Sequence, residues 1–303
     1  MSHITIAASA EVFKNIFNTV RDNFTFSTSD SKNFGPYSAS YSVNLHLSDG
    51  TVNLNDNNTI EIKNVDIIFD TLTTEICFDL PGFCVGGWCI IPDPWNGCLV
   101  GIPEICIGGP ICAPLDLSGL TSEISDLKAS LVPKYYVDPA RTPNESDYDA
   151  EVSGHPNKWQ IFIDPVWVNV NPIDIPSTIG NFLEQAVKNA IYNWLPSWFP
   201  DWAKDLIWGA IGPIISGVKA ILGIVGEITD WISDLLFNLF GLIGLIETAI
   251  ADYFANKYPI YWFEDPYPIL PSSATLIPVK IPIRDLTAKV NSKEMVVTAN
   301  VGV

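Results

Sequence analysis

The most apolar sequence in this chain lies between residues 177 and 257, and that concentration restricts the folds open to it. The stretch carries four basic groups, Lys188, Lys204, Lys219 and Lys257. Within it, Leu206–Gly226 has Lys219 as its one charge, and Leu235–Ile246 has none. The chain as a whole is 48% hydrophobic and 17% charged. Apolar surface gathered into helix-length pieces has to face a protein core, an apolar ligand or a bilayer, because water is the one environment it disfavours.

The totals exclude several classes. A chain of 303 residues is long enough to bury a full core as a single domain, 1–303. The net charge of −18 would repel a nucleic-acid backbone, so no nucleic-acid partner is expected. It would also repel anionic lipid, leaving zwitterionic lipid, a receptor, or acid that neutralises carboxylates as routes to a membrane.

Six cysteines stand at 77, 84, 89, 98, 106 and 112 and nowhere else. No two form a CxxC pair, which argues against zinc, and disulfides are the better reading. Fifteen pairings are open, and the sequence does not choose among them. Three bridges would staple a Gly- and Pro-rich loop insertion, 77–114, and imply an extracellular or other oxidising compartment. The opening residues, MSHITIAASAEVFKNIF, read as no signal peptide.

Val12, Phe13, Ile16, Phe17 and Val20 recur at helical spacing, with Ser9 as a cap. Tyr41, Val43, Leu45 and Leu47 alternate as a strand. Turns are expected at 48–50 and 56–58, and the phase slips near Asn64–Val65, predicting a bulge and a bent sheet. Ser122–Leu131 reads as a short helix, and 138–156 as an exposed acidic loop. Strand character returns over 158–175, with both faces of Trp159–Ile163 apolar and therefore covered. Ser177 is expected to cap an amphipathic helix to Trp194, and Pro213 to kink the next helix. A further helix is expected from about 227 to 255, an extended aromatic connector over 259–271, and alternating strands to the end.

No catalytic motif is present: there is no GxSxG, HExxH, P-loop or GxGxxG, and the three histidines are scattered at 3, 46 and 155. The chain is read as no enzyme, with no cofactor and no metal. Asn53, Asn55, Asp56 and Asn58 resemble a calcium loop only loosely, since the glycine and distal glutamate are out of register. Ten tryptophans are many for this length, and five lie at 194, 198, 202, 208 and 231. Indoles favour membrane interfaces as well as cores.

The carboxyl-terminal stretch Leu276–Val303, a proline-marked apolar strand, a polar bend and two alternating strands, resembles the end of tubular lipid-binding domains of the bactericidal permeability-increasing group. The helix 177–194, an amino-terminal helix and bent strands at 41–72 suit the same group. The resemblance implies an α+β fold: a strongly curved antiparallel sheet wrapped around long amphipathic and apolar helices. It also implies non-enzymatic binding of lipid or another hydrophobic ligand. Contacts to ligand or membrane are expected from Phe182, Val187, Ile191, Trp194, Trp198, Trp202, Trp208 and Trp231. The cysteine segment and the extra helices 201–255 depart from that pattern. Two other readings stand beside it: a pore-forming, toxin-like protein that inserts the hairpin 206–251, and a self-assembling subunit whose helices pack against further copies.

Overall fold

A computed structural model of the chain describes residues 4–85, 87, 89–93, 97–101, 104–137, 157–194, 197, 211–270 and 279–301. Its first elements are β1 (Ile4–Ser9), α1 (Ala10–Asp22), β2 (Thr25–Asn33), β3 (Tyr37–Leu54) and β4 (Ile60–Val85). There follow β5 (Cys89–Asp93), β6 (Gly97–Gly101), β7 (Ile105–Asp116), β8 (Thr121–Tyr136) and β9 (Asn157–Val170). The helical section holds α2 (Phe182–Trp194), α3 (Ile211–Leu222), α4 (Ile228–Leu239) and α5 (Leu242–Lys257). The chain then forms β10 (Tyr261–Asp265), β11 (Tyr267–Leu270), β12 (Val279–Ile281), β13 (Ile283–Val290) and β14 (Glu294–Val301).

The main sheet is an antiparallel meander in the order β10-β9-β8-β4-β3-β2, with β7 pairing the distal half of β4. Alternation sets its faces: Ala39, Tyr41, Val43, Leu45 and Leu47 of β3 are buried, while Ser42 and Asn44 are exposed. The sheet bends along a line that crosses three strands. The buried phase slips by one residue between Leu47 and Val52, between Ile62 and Val65, and between Ile124 and Leu127. At the same level Asp49, Gly50 and Asn64 take positive φ values of 52°, 102° and 54°. A methyl group on Gly50 would lie 2.6 Å from Val65 Cγ2, so space and backbone both require glycine there.

A second irregularity faces it further along. Asp70 is the extra residue of a bulge opposite Asn44 and Leu45, and its Oδ2 lies 2.9 Å from His46 Nδ1. Opposite, the chain turns at Leu117–Leu120 between β7 and β8, held by Leu117 N donating to Leu72 O at 2.7 Å.

A three-stranded sheet, β1-β14-β13, joins the two ends of the chain. Ser9 Oγ accepts from Val12 N and caps α1, whose Phe13, Phe17 and Val20 are buried. The β3–β4 turn grips this unit: Asn58 Oδ1 accepts from Val290 N and Asp56 Oδ1 from Ser292 N, each at 2.9 Å. The hydrogen bond from Ser292 holds the Asp56 carboxyl below its ordinary pKa. Buried side chains from both sheets and the helices form one core cluster.

Several expectations are corrected. The antiparallel sheet is present and bent at Asn64, but it does not wrap long helices. More than half of the described residues are strand and under a third helix, and every described helix is short. The apolar run that promised a long helix is broken at Gly241, whose φ of 72° ends one helix and starts the next at a 46° bend. Ser122–Leu131 is part of β8, not a helix. The slip in phase at the sheet bend places Ile124, Leu127 and Leu131 at helical spacing within a strand. Residues 48–50 bend β3 without ending it. Pro213 lies within α3, and residues 201–210, over which the kinked helix was expected to begin, lie outside the described residues. Pro176, not Ser177, precedes the turn that leads into α2. The connector at 259–271 is extended as expected and contributes β10 and β11. Ile161–Ile163 are buried on both faces, also as expected. The acidic segment 138–156 lies outside the described residues.

Candidate functional site

The cysteine segment, read from sequence as a loop insertion, is a laced ribbon. Cys77 stands directly opposite Cys112 and Cys84 opposite Cys106 across the β4–β7 ladder, and both pairs are disulfides. Cys89–Cys98 closes the β5–β6 hairpin within them. The three bridges are therefore nested rungs. They place the chain in an oxidising compartment. β3 accompanies β4 as far as Phe78, opposite Tyr37, so the ribbon beyond continues as two strands among the described residues. A two-stranded ribbon is marginal in water by itself, which is the physical need for covalent rungs. Two groups of metal-ligating type occur here, Glu75–Cys77–Cys112 and Cys84–Glu104–Cys106, but their sulfurs are bonded to each other and offer no thiolate.

Three of the eight nominated residues have described side chains, Phe182, Val187 and Trp231, and these three face inward. Val187 is fully buried, Phe182 and Trp231 pack against the core, and Trp231 meets Tyr37 edge-on at 5.6 Å. Ile191 and Trp194 belong to α2. Trp198, Trp202 and Trp208 lie outside the described residues. Helices α4 and α5 bury a stripe of Ile228, Ile232, Leu235, Leu236, Leu242, Ile246, Ile250 and Phe254. Phe17 stacks on Phe254 at 5.7 Å. Tyr253 donates its hydroxyl to Val20 O at 3.0 Å, and burial pushes its pKa up to about 12. This pair packs as a core element.

Among the described cavities, the apolar one is tiny. Ile4, Ile6, Phe263, Tyr267, Leu286 and Val297 enclose about 10 Å³, room for one water and no alkyl chain. A groove of about 820 Å³ crosses β2, β3, β4 and β7, and its lining is mixed: Ser29, Ser42, Glu75 and Asp116 stand beside Tyr41 and Leu115. Hydrogen bonds from Ser118 hold the Asp116 carboxyl below its ordinary pKa. The calcium-like residues Asp56 and Asn58 spend their oxygens on the β13–β14 turn. The His46–Asp70 pair is partly exposed at its bulge and braces it.

Exposed apolar side chains occur singly on the helices, as at Tyr192, Leu239 and Leu245, and in a group on three neighbouring strands. Strands β8, β9 and β10 show Tyr135, Tyr136, Val166, Trp167, Tyr261 and Trp262 to solvent, and Val137 follows β8. On the outer face Gln160 stands between Lys134 and Trp262, Lys158 between Tyr136 and Glu264, and Lys128 opposite Trp167. Lys158 Nζ sits 4.6 Å from the centre of the Trp262 ring. Sequence reasoning passed over these aromatics in favour of the helices. The available signal was that Trp167 alternates in phase with Asn169, on the polar side of its strand.

Comparison with protein-family models and with curated proteins finds no match to the chain.

Proposed function

We propose that this is a non-enzymatic, extracellular binding protein whose partner is lipid or another apolar molecule. One observation carries the reading: large aromatic side chains stand exposed together on β8, β9 and β10. Isolated exposed apolar residues are ordinary, but a cluster of tryptophan and tyrosine interleaved with lysine suits a boundary between water and hydrocarbon. The resemblance of Leu276–Val303 to tubular lipid-binding domains points the same way. Organic extraction of protein purified from its native source, followed by mass spectrometry, together with binding to phospholipid vesicles, tests it. Co-purified lipid or saturable vesicle binding is expected. Neither in a folded, disulfide-intact preparation would refute the reading.

A second reading, membrane insertion by the helical pair, has one observation in its favour. No single described helix is long and apolar enough to cross a bilayer, but Ile228–Leu239 and Leu242–Lys257 together have the length and composition. Insertion would first have to withdraw their buried stripe from the core. Four carboxylates, Glu227, Asp230, Asp234 and Glu247, stand on or beside the pair, so more dye leakage from liposomes is expected from a variant with all four changed to the matching amides than from the wild type. Absence of leakage from both ends this reading.

A further inference from the structure

We infer that the outer face of β8, β9 and β10 is a docking surface for a zwitterionic, phosphocholine-type bilayer, with Trp262 and Trp167 as its two anchors. This deepens the lipid-binding reading above and rests on it. Trp262 is 48% exposed, Tyr136 43%, Trp167 58% and Val166 76%. Val166 is the unpaired residue of a bulge: Pro165 opposes Ala129 and Trp167 opposes Lys128, leaving it between them. The bulge turns both Val166 and Trp167 outward.

Charge selects the lipid. The face carries Lys128, Lys134 and Lys158 against Asp126, Asp164 and Glu264, and so is neutral within a chain of net charge −18. Lys134 is committed to Ala255 O and Asn256 Oδ1, at 2.9 and 2.7 Å. Lys128, which pairs with Asp126 at 3.4 Å, and Lys158 stand at the two ends, beside Trp167 and Trp262, where they can meet lipid phosphates while the indoles settle at the carbonyl level. An anionic bilayer would repel the rest of the molecule, including the acidic sequence that joins β8 to β9. A neutral face allows close approach to a bilayer whose own net charge is zero.

Geometry argues against a protein partner. Trp262 stands opposite Gln160, seven residues from Trp167 on β9, roughly 23 Å at the rise of an extended strand. Between the anchors lie Gln160, Asp164 and Ser130, while Phe162 is buried beneath Lys134. Protein interfaces gather their anchors at a desolvated centre with a polar rim. Here the anchors stand at the ends and the polar groups between them, an arrangement that suits a flat, laterally fluid surface.

The test is sedimentation with sucrose-loaded phosphatidylcholine vesicles. Trp167→Ser/Trp262→Ser is expected to weaken partitioning by about tenfold or more, from the apolar area each indole would otherwise bury. Val225→Ser, at a 99% exposed site in the connection between α3 and α4, should leave partitioning unchanged. A volume-keeping pair, Trp167→Phe/Trp262→Phe, guards against a folding defect: brominated phosphatidylcholine should quench the indole fluorescence of the wild type and much less that of this variant. Partitioning that survives loss of both indoles would overturn the docking face while leaving the lipid-binding reading intact. Binding only to anionic vesicles would overturn the charge argument. Failure to bind any vesicle would overturn the docking surface altogether, and the lipid extraction then decides the parent reading by itself.

Discussion

Removing the outermost disulfide, with Cys77→Ser/Cys112→Ser, tests whether the nested bridges stabilise the sheet or only decorate it. The two residues face each other on a rung that also holds Ser38 and Asn33, so this bridge lies inside the body of the main sheet. Taken alone, a bridge spanning 35 positions would restrict the unfolded chain by about 4 kcal/mol. It does not act alone, because Cys84–Cys106 already ties the same strands together. The ring it closes runs eight residues from Cys77 to Cys84 and seven from Cys106 to Cys112, worth about 3 kcal/mol. Guanidinium unfolding of the variant against wild type, with the slope checked for constancy, measures the difference. A loss below about 1 kcal/mol at unchanged slope would refute the ring-closure reasoning. The loss should grow when Cys84→Ser/Cys106→Ser is already present, since the outer bridge would then close a longer loop.

Ile246→Ala removes a fully buried side chain from the α5 stripe and should destabilise by about 2–5 kcal/mol in the same assay; Trp262→Ser on the exposed edge should stay within about 0.5 kcal/mol. Gly50→Ala should lose more than about 1 kcal/mol, from strain at φ 102° and the clash with Val65; adding Val65→Ala should relieve only the clash part, and full recovery would show that backbone conformation is not the constraint. In an alkaline absorbance titration, one tyrosine should ionise near pH 12 and revert to the ordinary range in Tyr253→Phe only by disappearing. Its raised pKa favours the protonated phenol in the fold, so its contribution is complete below about pH 10 and lost as pH rises towards 12. Stability of wild type and Tyr253→Phe should therefore converge over that window, and a constant difference would contradict the assignment.

The sequence by itself determined the strand phases of β3, β13 and β14, the first helix with its Ser9 cap, the bend near Asn64 and the presence of disulfides. These follow from local rules: period-two alternation, a cap hydroxyl, a slip in that alternation and an even set of clustered cysteines. Only the tertiary structure decided how the cysteines pair, because pairing depends on which residues of β4 and β7 fall opposite each other. It also decided that Ser122–Leu131 is a strand, since a bend shared by three strands shifts the phase of each and mimics a helical period. Above all it decided where the apolar helices face. Composition reports that Ile232, Leu236, Ile246 and Ile250 avoid water; whether they avoid it inside the protein or outside depends on surfaces far away in sequence. The same logic hid Trp167 and Trp262, whose exposure is set by the neighbours that a long-range fold brings, or does not bring, to their side of the sheet.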